Sequence, residues 1–304
     1  MSITVKFILI SSMILVSLLL GYAARRLRVL EEKAAEGIMT FVSVFGYPTV
    51  SVLTIWAIRL HPADMWLPTI AVTHVAVLAV LGGGVAKLLR RQRDEIGLFA
   101  IVSSVGNNGF TMGAFVVYLI YGEAGLGLAN IFFVLFTPAV ILMMYPVARH
   151  YAGERPDGTL AGLLLRSIFD WRSLGLPMAA AGIALSLYGV PRPAFIADWH
   201  VIDAMVYALT PLAYFAIGLR LHASGVKTMK TMILALAFLR FPVAAGVGLL
   251  LAMLTWITPW PIRFGTLAMN VVLIESFVPT AVTAVAVANM FRLRPRDASL
   301  LFVA

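Results

Sequence analysis

Only one acid, Glu275, lies deep within an apolar run of this chain, and it is followed closely by Ser276, Pro279 and Thr280. A second run is interrupted by Asn107 and Asn108, then Gly109, Phe110 and Thr111. Asparagine amides carry both donors and acceptors, so Asn107 and Asn108 could hold a carboxylate or an ordered ion. Thr111 and Thr280 could cap the helices that restart after each interruption, or bond back to their own helices. A carboxyl at depth, such as Glu275, could bind and release a proton during a transport cycle. It could equally be the structural partner of Arg240, or a neutral carboxyl hydrogen-bonded across helices. Arg240 is a fixed cation. It could neutralise substrate charge, pair with Glu275, or snorkel along its helix. His74, alone in its apolar run, is either a proton relay or a hydrogen-bonded packing residue.

These residues matter because of where their elements must lie. Asn107 comes 11 residues after Ile96, and Glu275 comes 11 after Phe264. At about 1.5 Å per residue, both interruptions fall near the middle of a bilayer. Adjacent asparagines with glycine, or a proline that removes a donor, are costly there in a continuous lipid-facing helix. Unwound backbone at that depth must be buried in protein or line a cavity. Matched interruptions in two halves are the best sequence pointer to a transporter site. Each restarting helix would aim unpaired N–H groups and the positive end of its dipole at the centre, favouring an anion.

Composition requires the membrane. The chain has 304 residues, 61% hydrophobic and 12% charged, with no cysteine. Soluble domains run at about 45–50% apolar and about 25% charged. A soluble globular protein, a disordered chain, a nucleic-acid-binding domain and a secreted disulfide scaffold are all excluded, and so is thiolate or redox chemistry. Apolar runs at 5–24, 37–58, 66–85, 96–121, 125–147, 173–190, 201–218, 231–254 and 263–290 predict nine spans. The run 298–304 reads as the start of a tenth, truncated one. Of the 23 Lys and Arg, 18 lie in the loops following spans 1, 3, 5, 7 and 9. The positive-inside rule then places the N-terminus outside. Most of the net charge of +9 is therefore an orientation signal and calls for no nucleic acid. The long connection 151–172 divides the chain into halves 1–150 and 173–304, which start from opposite sides, so a duplicated unit would be inverted. Pro48 and Pro211 fall at the centre of spans 2 and 7. The tripeptide Arg59-Leu60-His61 is echoed by Arg220-Leu221-His222.

At these residues the chain resembles the auxin efflux carrier family, which includes bacterial malonate and malate permeases and, more distantly, the plant PIN-formed carriers. The resemblance is carried by Gly21-Tyr22 through Arg25-Arg26, Pro48, Asn107-Asn108-Gly109-Phe110, Pro211 to Gly218, and Pro279-Thr280-Ala281-Val282. It implies an all-α membrane protein of ten helices in two inverted five-helix repeats, with broken helices 4 and 9 crossing at midplane. The chain departs from the family in several places. Asn108 stands where the family usually has threonine, Gly113-Ala114 where it has proline, Val278 where it often has methionine, and Thr283 near a usual asparagine.

The function expected is secondary transport of a small organic anion, such as a mono- or dicarboxylate, by alternating access. A carrier like the bile-acid symporters, or a receptor that binds an anion without moving it, is the alternative. Asn107, Asn108, Gly109, Thr111, Pro279, Thr280, Thr283 and Arg240 are the expected substrate contacts, with Glu275 and His74 as coupling groups for a proton; sodium is the other candidate ion. No cofactor or metal is expected. An intramembrane hydrolase would need a nucleophile and base or paired acids, which the runs lack. The expected setting is the bilayer of a bacterial inner membrane, with a homodimer among the open assemblies.

Overall fold

A computed structural model describes residues 3–109, 111–152, 159, 161–162, 165, 174–221, 229–258 and 262–303. Phe110, His222, Arg155, Arg166, Arg172, Lys227 and the polar stretch 153–158 lie outside the described residues. Those described form helices in the order α1 (Ile3–Arg26), α2 (Ala34–Ala57), α3 (Pro62–Leu88), α4 (Arg93–Ser104), α5 (Gly113–Phe133) and α6 (136–152). Then follow α7 (Gly175–Leu187), α8 (Ala194–Asp198), α9 (Val201–Leu219), α10 (Lys230–Ile257), α11 (Thr266–Ser276), α12 (Val282–Met290) and α13 (Pro295–Val303). Among the described residues, five helical stretches are long and apolar enough to cross a membrane: Ala34–Ala57, Pro62–Leu88, Gly113–Ala152 (α5 and α6 taken together), Val201–Leu219 and Lys230–Ile257. The runs 96–121 and 263–290 are not continuous helices. Each is two shorter ones, interrupted at the asparagines and at Phe277–Ala281, with Glu275 in the last turn of α11. The predicted boundary between spans 4 and 5 falls at Gly122, whose φ of 63° and ψ of −153° only glycine adopts without strain.

Proline shapes three of the long helices. A proline ring clashes with the carbonyl four residues back and supplies no donor for it. At Val42–Gly46 before Pro48, at Val140–Met144 before Pro146, and at Leu239–Val243 around Pro242, the helix widens to a π turn. The widened ladder is visible in the bonds Tyr47 N–H to Val42 O, Tyr145 N–H to Val140 O and Ala244 N–H to Leu239 O. Pro211, the expected counterpart of Pro48, sits inside an uninterrupted α9.

Three helix ends are closed by arginine where glycine is usual. Arg28, Arg90 and Arg292 have φ of 57°, 52° and 52°. Each donates to the carbonyl three back while the next residue donates five back, as in Val29 to Ala24 (2.9 Å), Arg91 to Ala86 (3.0 Å) and Leu293 to Ala288 (2.8 Å). Left-handed backbone costs a non-glycine residue about 1–2 kcal/mol. A cation beside a helix C-terminus returns about 0.3–1 kcal/mol of that. Arginines of three basic loops thus also terminate helices.

The chain forms two compact units, each drawing on both sequence halves. One comprises Met1–His61, Gly109–Ile131 and Asp170–Leu221. Within it α1 and α9 touch backbone to backbone. A Cβ on Gly21 would lie 2.1 Å from Phe215 O, and one on Gly218 would lie 2.1 Å from Leu18 O. Small residues allow such approach where lipid offers no hydrophobic drive between helices. The other unit comprises Pro62–Asn108, Phe132–Phe169 and His222–Ala304. Its core joins α4 (Leu98, Ile101, Val102) to α12 (Ala284, Val287) and to Met144, Leu236 and Leu301. Gly82 of α3 lets α4 approach closely enough for Ser103 Oγ to donate to Leu78 O at 3.2 Å.

Candidate functional site

A helix whose end is buried, as α4's is at Ser103 and Ser104, leaves carbonyls without partners. At the end of α4 three of them have found donors from outside the regular helix ladder or at its last turn. Ile101 O accepts from Val105 N–H at 3.1 Å, Val102 O from the Thr280 hydroxyl at 2.8 Å, and Ser103 O from Arg240 Nη1 at 3.1 Å. Beyond the helix, Val105 O accepts from Ala281 N–H (2.9 Å), and Asn107 N–H donates to Pro279 O (2.8 Å). The two interruptions therefore lie side by side as a short antiparallel bridge, with Gly106 opposite Thr280. At the end of α11, Leu273 and Ile274 carbonyls accept from Phe277 N–H, and Glu275 O accepts from the Asn108 amide. Each break satisfies backbone of the other.

The expected role of Thr280 at its own helix is corrected here. Thr280 neither caps α12 nor bonds back along it. Its hydroxyl reaches across to Val102, and α12 begins at Val282, after Ala281, with no side-chain cap. A carbonyl orphaned at the end of α4, away from water, gains more from that hydroxyl than a helix start does.

Asn108 is the hub of the polar cluster. Its Nδ2 donates to both the backbone carbonyl and Oε2 of Glu275, the latter at 3.2 Å. Glu275 is fully buried, and its Oε1 has no hydrogen-bond partner; nor has the hydroxyl of the buried Ser276 beside it. Of the three readings of Glu275, an ion pair with Arg240 is absent from the described residues, and hydrogen bonding across helices is present. His74, also buried, donates from Nε2 to Ala244 O at 3.0 Å, since a carbonyl can only accept. In the neutral ring Nδ1 is then the acceptor. His74 and Asn108 both line a cavity of about 20 Å³, walled by Val105, Phe132 and Phe136. This is room for one water-sized molecule.

Arg240 is buried, and its guanidinium is spent on carbonyls: Nε and Nη2 donate to Val278 O at 3.0 and 2.6 Å, Nη1 to Ser103 O. One unit thus brings together Asn107, Asn108, Pro279, Thr280, Glu275, Arg240 and His74, with Thr283 half-buried in the first turn of α12. Gly109, with φ of 115°, and Thr111, whose carbonyl accepts from the Tyr214 hydroxyl, belong to the other unit. That unit holds a buried polar pair absent from the sequence expectations, Asn130 Nδ2 donating to Thr54 Oγ1 at 2.9 Å. An amide inside the run 125–147 is the signal that points to it.

Arg294, at the foot of α13, fastens the start of α4. It contacts Asp94 (2.6 Å), Glu95 (3.1 Å), Asp297 (3.3 Å) and Gln92 Oε1 (2.6 Å), while Gln92 and Glu95 form a capping box on α4. Partial burial pulls the Asp94 carboxyl upward, but the hydrogen bond and charge of Arg294 outweigh it and hold the group below its ordinary value. A depressed carboxylate contributes stability above its unfolded pKa, and that contribution is lost as pH falls through the folded value. Arg294→Ala is expected to cost about 1 kcal/mol at neutral pH, the pair being largely solvated. The gap to wild type should close below about pH 4. Melting curves between neutral and acid pH check this; a gap that persists in acid contradicts it.

A family model described as membrane transport protein, the domain of the auxin efflux carrier family, matches residues 9–161, half of the chain. No curated protein matches it. The matched region contains the asparagine break, while the Phe277–Ala281 break lies beyond it.

Proposed function

The chain belongs to the auxin efflux carrier family, a family of integral membrane transporters, and we propose that it is a secondary transporter of a small organic anion. The observation that carries this reading is the pairing of two broken helices through Asn107–Pro279 and Val105–Ala281. In this reading the breaks are the midplane crossover of helices 4 and 9 in two inverted repeats, and the N-terminus faces outward from a bacterial inner membrane. Alternating access then exposes the site to either side. Asn107, Asn108, Pro279 and Thr283 line the anion path. The uncapped first turn of α12 offers backbone N–H groups and the positive end of a dipole to a carboxylate. Glu275 carries the coupling proton, and His74 serves the same route across the cavity it shares with Asn108.

Counterflow tests the reading. Purified protein in liposomes preloaded with unlabelled malonate should take up labelled malonate above protein-free vesicles, and malate and monocarboxylates should compete. A protein stabilised against heat by these anions but giving no counterflow would be a receptor.

A further inference from the structure

A buried guanidinium normally needs an anion. Among the described residues no carboxylate pairs with Arg240, and the geometry shows what replaces one. Ser103 is the second-last residue of α4, and Val278 lies two residues beyond the end of α11. Both carbonyls sit where helix dipoles end with partial negative charge. Three N–H groups of one planar fork converge on these two oxygens, two on Val278 and one on Ser103. The outer side of Nη2 is closed by backbone, since a Cβ on Gly106 would lie 2.3 Å from it and 2.7 Å from Asn108 Oδ1. With the side chain 1% exposed, no space remains for a carboxylate to lie against the fork.

We propose that Arg240 is a positioning residue: its guanidinium is a tethered cation that clamps the carbonyl rims of both breaks and holds them in register, and the pocket it fills is a site for guanidinium-type cations. Gly106 is the second half of the device, because only a residue without a side chain leaves the fork its place. This inference goes beyond transport and stands on the fold, so it survives if the anion reading fails. It departs from the expectation that Arg240 contacts substrate.

The experiment is chemical rescue, read by thermal unfolding of the full-length protein in detergent. Arg240→Ala should melt about 5–10 °C below wild type. Low-millimolar guanidinium chloride, far below denaturing levels, should recover at least half of that loss. Sodium chloride at the same ionic strength should recover none, and wild type should not respond to either. Rescue by sodium equal to that by guanidinium overturns the shape requirement. An alanine variant that melts like wild type but no longer responds to malonate makes Arg240 an anion ligand and overturns the proposal. If the alanine variant does not fold, Gly106→Ala and Arg240→Lys are compared singly and together. The added methyl meets Nη2, which lysine lacks. The proposal therefore expects the double variant to melt no lower than Gly106→Ala alone, whereas additive losses overturn it.

Discussion

Glu275→Gln is expected to abolish pH-driven accumulation of malonate in proteoliposomes while anion exchange continues near the wild-type rate. The substitution preserves shape in a fully buried position and keeps an oxygen to accept from Asn108 Nδ2, so the hydrogen bond that ties the two breaks survives. What it removes is the carboxyl that, in the proposed cycle, takes up and gives back the coupling proton. With one proton coupled, each unit of pH gradient sustains about tenfold accumulation, and this factor should fall to about one. Exchange at equal pH needs no net proton movement and is spared. The glutamine nitrogen inherits the place of Oε1, which has no partner. A stability loss of about 1–2 kcal/mol accompanies the functional change. Accumulation that still follows the pH gradient in this variant would remove Glu275 from the coupling route.

Asn108→Ala is expected to destabilise the paired breaks strongly. It deletes both donors to Glu275, leaving a backbone carbonyl and a carboxyl oxygen buried without partners, and it enlarges the cavity beside His74. Each orphaned acceptor costs about 1–3 kcal/mol and the new void adds to it, so about 3 kcal/mol is expected. Asn108→Thr, the residue more usual for the family, has one hydroxyl proton and can satisfy only one of the two oxygens. Its loss should be intermediate. Thermal unfolding of the three proteins orders them, and an alanine variant as stable as wild type would show that the Asn108–Glu275 link does not hold the breaks together.

Much of this site is legible in the residue types alone. A polar or proline-containing stretch within an apolar run is expensive in lipid, so the position of both interruptions along the chain follows from solvation. The positive-φ glycine at Gly122 is foreshadowed by the change from one apolar run to the next. Charge marks Arg28, Arg90 and Arg292 as loop residues. That they also close helix ends in the left-handed conformation depends on backbone angles that charge does not report. Asn130 is visible in the sequence as a lone amide in an apolar run, but that amide shows nothing of its partner, Thr54, 76 residues away.

Local composition is enough to specify the solvent, the helical class, the placement of the breaks and the short set of polar groups near them. Each of these depends on the cost of moving a residue or its backbone from water into hydrocarbon. The partners are another matter, and they belong to the tertiary structure. Asn108 bonds Glu275 across 167 residues, Thr280 bonds Val102 across 178, and Arg240 bonds Ser103 across 137. The sequence leaves several roles open for Thr280, Glu275 and Arg240 because each group can bond several others equally well in chemical terms. Packing makes the choice by bringing orphaned carbonyls within about 3 Å of the Thr280 hydroxyl and the Arg240 guanidinium, and by setting Glu275 against the Asn108 amide. Backbone groups buried without water must be satisfied by whatever reaches them, and that requirement turns a candidate anion ligand, Arg240, into the clamp between the breaks.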